Sequence, residues 1–460
     1  MSTPAKIRTG AAAAVAIACC LAAVIAVAFG ALGGQFQSIG DRDAPTVDST
    51  TGLYFSLNDL DAQVANVLLV GGDDALAADR SQDLASYVRD RATADADLTQ
   101  ALAAENGDAA AQRELRSVLD GLGQYEALTA DALLTDQQAR GSVGRAPAAA
   151  LAYYRQATDL MRTSILPAVS SLTGVSASTL NASYTDGTST AWTTAGVVIA
   201  AGVALIALLV ALQLYLSARF RRLVSPALAA ATLIAVVLVS TAAARLWAEA
   251  GHLTVAKQEA FDSIIALAQA RAVSYDANAD ESRYLVDPAR AAQYQQAFLA
   301  TSQQLAEVGN VSIVGYDAAL ATDIRAYDGD NSDVRFGGYL GAEFRNITFP
   351  GERAAAVRTL LAYQAYEADD RKLRALAKTD LAAAVAYDIG TAPGQSDGAF
   401  NAYDADLSSV IAINSAAFAA AIAAGQGDTA PWNLAFPLAG AALLAALVLA
   451  GVRPRLAEYH

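Results

Sequence analysis

Four stretches of the chain, residues 11–33, 193–216, 223–247 and 432–452, are apolar. Each has about the twenty residues that a helix needs to cross roughly 30 Å of hydrocarbon, so each predicts a transmembrane helix. Trp192, Tyr215 and Trp247 stand at the ends of the middle two, where amphipathic rings favour the interface, and Arg245 is close enough to an end to snorkel outward. Between the runs the pattern changes to apolar residues three and four apart. Leu53, Leu57, Leu60, Val64 and Val67 form one such seam. Leu84, Val88, Leu98 and Leu102 predict the inward face of a second helix. Leu115, Val118, Leu122 and Tyr125 mark a third helix, and Leu151, Tyr154, Met161 and Ile165 a fourth. Residues 34–192 are therefore expected as a four-helix bundle, with Asn106-Gly107-Asp108 as a turn and the Ser/Thr-rich stretch 174–190 as a linker to the second crossing.

Residues 248–431 repeat the plan. A helix is expected from Trp247 to about Val286, ending at Asp287-Pro288, a second from Ala289 to Val308, a third from Gly351-Glu352 and a fourth from Ser396-Asp397. Asn414 falls in the apolar seam of the last, where a lone amide fixes register, and Gly425-Gln-Gly-Asp428 is expected to break that helix before the fourth crossing. Residues 334–349 alternate and carry aromatic and β-branched residues, which predicts a small β-hairpin inserted into the bundle. Its proposed use is a partner-binding surface made of Phe336, Tyr339, Phe344, Asn346, Phe349 and Arg353. The expected fold class is thus an all-α membrane protein with four transmembrane helices and two extracytoplasmic four-helix-bundle domains, the second with a hairpin insertion. Asp61-Ala-Gln63 and Asp276-Ala-Asn278 form a faint echo between the halves.

Charge orients this arrangement. The chain holds 31 Lys and Arg against 46 Asp and Glu. Residues 34–194 carry ten basic against 21 acidic side chains, and residues 248–432 carry 13 against 24. The N-terminus 1–10, the loop 217–222 and the tail 453–460 together hold seven basic residues and one acid. The positive-inside rule places these three stretches in the cytoplasm and both long segments outside. Arg219, Arg221, Arg222, Arg453, Arg455 and Tyr459 are then the groups open to anionic lipid headgroups or a cytoplasmic partner. An alternative for residues 11–32 is a signal peptide, with Cys19 or Cys20 as a lipidated residue. These are the only two cysteines, so the external segments have no disulfide.

Candidate chemistry is sparse. His252 and His460 are the only histidines, and neither belongs to a His/Asp/Glu cluster at metal-ligand spacing. A phosphate-cradling glycine loop and a nucleophile elbow are both missing. The reading is a non-enzymatic coupler with no cofactor and no nucleic-acid partner. The stretch Asn346-Ile-Thr-Phe-Pro-Gly-Glu-Arg353 and the closing Val452-Arg-Pro-Arg-Leu-Ala-Glu-Tyr459, on a four-crossing plan, resemble the GlnX-type membrane proteins of actinobacteria. That resemblance implies a signalling adaptor between an extracytoplasmic solute-binding lipoprotein of the GlnH type and the cytoplasmic serine/threonine protein kinase G, serving amino-acid sensing. Two alternatives remain: a stand-alone sensor whose bundle binds a small ligand directly, and a structural envelope protein.

Overall fold

A computed structural model describes residues 3–104, 109–220 and 225–457. Fifteen α-helices follow one another among the described residues: α1 (Thr3–Ser38), α2 (Ala44–Val70), α3 (Ala77–Ala104), α4 (Ala109–Ala139), α5 (Ala148–Leu160), α6 (Leu166–Phe220), α7 (Pro226–Thr254), α8 (Asp262–Val286), α9 (Ala291–Leu305), α10 (Ile313–Ala326), α11 (Gly338–Asn346), α12 (Glu352–Ala377), α13 (Leu381–Asp388), α14 (Ser396–Asn433) and α15 (Ala435–Ala457). Three short π-helical segments, Ile39–Asp43, Met161–Ile165 and Val255–Phe261, join α1 to α2, α5 to α6 and α7 to α8. The expected turn at 106–108 lies outside the described residues.

The chain divides into two compact units. One comprises Met1–Arg42, Leu180–Lys257 and Phe418–His460, the other Asp43–Thr179 and Gln258–Ala417. The first holds the apolar parts of four helical spans, each long and apolar enough to cross a membrane. Ile25, Phe29 and Leu32 of α1, Val198, Leu205 and Leu209 of α6, Ala235 and Leu246 of α7, and Leu444 and Val448 of α15 are buried together. Small residues let these helices close up. A Cβ on Gly425 would lie 2.3 Å from the Phe36 ring, and one on Gly202 would lie 2.4 Å from Val239. Leu214, Leu233, Leu438 and Leu449 point outward, as a surface in contact with acyl chains requires. Trp192 and Trp247 lie with ring centroids 6.3 Å apart. Arg245 donates to Asp428 at 2.7 Å instead of reaching outward alone.

The second unit contains both long polar segments. The two bundles read from the sequence are not separate in space, because Val64, Leu68 and Leu69 of α2 and Tyr154 of α5 share one apolar cluster with Leu285, Val286, Leu373 and Val385. A further cluster, containing Leu98, Leu115, Val118 and Tyr125, comes from the first segment. Another, with Phe298, Tyr363, Phe400 and Tyr403, comes from the second. On α3 the buried face is Ala94, Leu98 and Ala101. Leu84, Val88 and Leu102 are exposed, contrary to the predicted face.

Three further expectations are corrected. Residues 334–349 form no hairpin and no strand occurs among the described residues: Val334–Gly337 is irregular and Gly338–Asn346 is α11. Gly338, at φ 70°, starts that helix where a Cβ would stand 2.5 Å from the Gln304 carbonyl oxygen. The stretch 174–190 is no linker but part of α6, because Thr179, Thr185 and Thr188 hydroxyls donate to carbonyls four residues back and stay within the helix. Gly425–Asp428 does not break α14, which continues to Asn433 and ends two residues past Pro431.

Candidate functional site

The two halves of the polar unit meet along α2 and α8, and the centre of that meeting is ionic. Asp276, Asp280 and Arg283 recur four and three residues apart on α8, so one face of the helix carries all three. The Arg283 guanidinium is 1% exposed and donates to Asp61 of α2 at 2.6 Å, Asp276 at 2.8 Å and Asp280 at 2.7 Å, with its Nε on the Tyr154 hydroxyl at 3.2 Å. Arg162, in the π-helical segment before α6, reaches Asp280 at 3.1 Å and Asp276 at 3.3 Å. Asp61 also accepts from the hydroxyls of Tyr125 and Thr158, both at 3.0 Å. Buried charge survives only when paired and hydrogen-bonded in this way.

Three carboxyls face two guanidinium groups here, and the electrostatics divide them. Burial opposes ionisation of Asp276, but Arg162 and Arg283 outweigh it and hold the carboxyl below its ordinary value. At Asp280, burial followed by the neighbouring Asp276 charge pushes the carboxyl up to about 6. Around this centre lie further bridges between the segments. Arg155 holds Asp287 through two bonds, one of them Nε to Oδ2 at 2.7 Å, Arg290 grips Asp159 at 2.8 and 3.1 Å, and Ser282 links Asn66 at 2.6 Å to Asp388 at 2.9 Å.

A second set of carboxyls, Asp59 on α2, Asp83 and Asp90 on α3 and Asp397 on α14, has no ion-pair partner among the described residues. Gln63 donates to Asp59 at 2.8 Å and Asn278 to Asp397 at 3.3 Å. Burial, reinforced by the charge of neighbouring carboxylates, pushes Asp83, Asp90 and Asp397 up to about 7, and burial with a smaller push from Asp404 raises Asp59 to about 6.

Beside the seam lies a solvent-open crevice of about 160 Å³, lined by residues of both segments. Tyr54 of α2 and Ser170 and Thr173 of α6 face Gln269 of α8, Gln304 of α9 and Tyr339 of α11.

The residues expected at a partner surface are mostly internal. Phe336 and Phe344 are fully buried against each other, ring centroids 5.3 Å apart, and so offer nothing to a partner. Asn346 donates to the carbonyls of Gln258 at 2.9 Å and Glu259 at 3.2 Å and to the Ser263 hydroxyl at 3.0 Å, filling acceptors at the end of the π-helical segment Val255–Phe261. Arg353 donates to the Tyr327 hydroxyl and to Asn331 at 2.6 Å. The Phe349 amide, like that of Thr348, is capped by Glu352 at 2.8 and 2.7 Å, and the other Glu352 oxygen accepts from Asn414 at 2.7 Å. Asn414 thus fixes α14 against the start of α12. Tyr339 alone of the six faces the crevice. Of the set expected to face the cytoplasm, Arg453 is exposed beside Arg8 at a groove between α1 and α15. Arg221, Arg222 and Tyr459, with the side chains of Arg219 and Arg455, lie outside the described residues.

Residues 35–185 match the family model of an actinobacterial sensor domain. That range contains Asp61, Tyr154, Thr158 and Arg162 of the ionic centre, and Asn66, Arg155 and Asp159 of the bridges around it. No curated protein and no solved structure matches the chain.

Proposed function

We propose that the chain is a four-crossing membrane sensor with both termini in the cytoplasm, whose polar unit lies outside and is read across the bilayer through its own helices. The observation that carries this reading is the sensor-domain match over residues 35–185, which falls on one half of a unit whose other half comes from residues 258–417. Helices α6 and α14 run without interruption from that unit into the apolar one. A shift in the packing of α2 against α8 is the proposed signal. The distribution of basic residues supports the orientation.

In its sharper form, the input is an extracytoplasmic solute-binding lipoprotein of the GlnH type and the output a cytoplasmic serine/threonine kinase, with Arg219, Arg221, Arg222 and Arg453 as the basic contacts and the chain itself non-catalytic. The test is affinity purification of the full-length protein from membranes with identification of co-purifying proteins. The kinase is expected in the eluate, and replacement of Arg219, Arg221 and Arg222 together by Gln is expected to remove it while leaving insertion intact. Unchanged recovery of the kinase with that triple variant, or its absence from both eluates, contradicts the sharper form. A second reading, direct binding of a small ligand, is favoured by one observation, the crevice between the segments.

A further inference from the structure

The crevice beside the α2–α8 seam has a lining that selects its occupant. It draws Tyr54, Ser170 and Thr173 from the first segment and Gln269, Gln304 and Tyr339 from the second. A molecule held there touches both halves of the unit at once. None of the lining residues carries an ionisable acid or base other than the two phenols. The Gln269 and Gln304 carboxamides, the Ser170 hydroxyl and the Tyr339 phenol have no hydrogen-bond partner among the described residues. Together they present donors and acceptors of both kinds, because each carboxamide and hydroxyl can do either. Gln269, Tyr54 and Tyr339 are half-buried while Ser170 and Gln304 are exposed, and a concave site of this size, far larger than one water needs, with a few convergent polar groups has the form of a small-molecule pocket.

We infer that the crevice binds an uncharged polyhydroxylated molecule of monosaccharide size, and that this molecule joins the two segments. Carboxamides and hydroxyls match an array of ligand hydroxyls, and the faces of Tyr54 and Tyr339 can stack on the C–H face of a sugar ring. An amino acid or dicarboxylate would shed its water there with no counter-charge in the lining, which is costly. The two charges that act on Tyr54, Asp276 and Arg162, are paired with each other, and Arg162 is engaged by Asp280 as well, so no unpaired cation is offered to a ligand carboxylate. The inference rests on the reading of the unit as a sensor, but its test is independent of the kinase.

The test is calorimetric titration of the full-length protein in lipid nanodiscs with glucose, N-acetylglucosamine and myo-inositol, and with glutamate and aspartate for comparison. Saturable binding of at least one of the three neutral compounds is expected, at concentrations too low for general osmolyte effects. Gln269→Leu is expected to weaken that binding by about tenfold or more, and Tyr339→Ala to weaken it while Tyr339→Phe retains the stacking share. The thermal midpoint of each unliganded variant, taken alongside, identifies any loss that comes from unfolding, and Gln304→Leu then serves in place of a variant that unfolds. No saturable binding of any of the three overturns the inference. So does binding that the crevice variants leave unchanged, or saturable binding of glutamate or aspartate instead. Kinase co-purification that persists after such a failure leaves the sensor reading standing and removes only this ligand class.

Discussion

Arg283 has lost its water on every side and is held by three carboxylates and a phenol, so its removal exposes the full cost of that burial. Arg283→Ala is expected to destabilise the protein by about 3–5 kcal/mol, because Asp61 remains buried with no other cation beside it, while Asp276 keeps only Arg162. Arg290→Ala, at the exposed rim of the same seam, is expected to cost less than about 1 kcal/mol. Chemical or thermal unfolding of the two variants side by side checks this, and equal losses would remove the seam from the account. Asp59, Asp83, Asp90 and Asp397 make a second residue-level prediction. Their carboxyls titrate above the unfolded range, so the folded state favours their protonated forms. The stability they contribute is complete below the ordinary carboxylate range and is lost as pH rises through about 6 to 7. The melting temperature is expected to be higher at pH 5.5 than at pH 8, and Asp397→Asn, which keeps the neutral shape, is expected to reduce that difference. A melting temperature that climbs from pH 5.5 to pH 8 would count against it.

Among the elements, the departures from the sequence reading have physical reasons. Apolar steps of three and four were enough to place α2 and α4, and the seam residues read for them are buried. Leu115, Val118, Leu122 and Tyr125 of α4 are all interior. On α3 large apolar residues misled, since Ala94 and Ala101 take the inside while Val88 stays in solvent. Periodicity weighted by hydrophobic size cannot see an alanine face. At 334–349 alternation imitated a strand, but Phe336 and Phe344 meet from an irregular stretch and a helix that turns at Gly338. The Asn346-to-Arg353 stretch is structural: Asn346 ties α11 to the π-helical segment, Glu352 caps its own approach and holds Asn414, and Arg353 holds Tyr327 and Asn331. Asn346→Ala leaves the Gln258 and Glu259 carbonyls without this donor. It is expected to cost about 1–3 kcal/mol and to raise amide hydrogen exchange around residues 255–263 first. Exchange unchanged there would show that the π-helical segment does not depend on this clamp.

Across the whole molecule, the four apolar spans were legible because membrane crossing demands length and composition that little else mimics. The joining of residues 43–179 and 258–417 into one unit was not, because its determinants, the ionic centre and the shared apolar cluster alike, come from positions far apart in the chain. Asp61 and Arg283 are 222 positions apart, and nothing in local periodicity connects them. Two hints were present: the Asp61 and Asp276 echo, whose members grip the same guanidinium, and the i, i+4, i+7 spacing of Asp276, Asp280 and Arg283 on one helix face. The central claim, that both long segments lie outside the membrane and form one unit, is tested by a single cross-link. Asp159→Cys and Arg290→Cys, in a chain with Cys19 and Cys20 replaced by Ala, occupy positions whose native side chains meet at 2.8 Å from opposite segments at an accessible rim. A membrane-impermeant reagent with two thiol-reactive thiosulfonate groups, each releasing sulfinate as it forms a disulfide with a cysteine, is added to intact cells and is expected to join the two peptides, as read by mass spectrometry. Peptides that are modified only after permeabilisation, or modified separately and never joined, would contradict it.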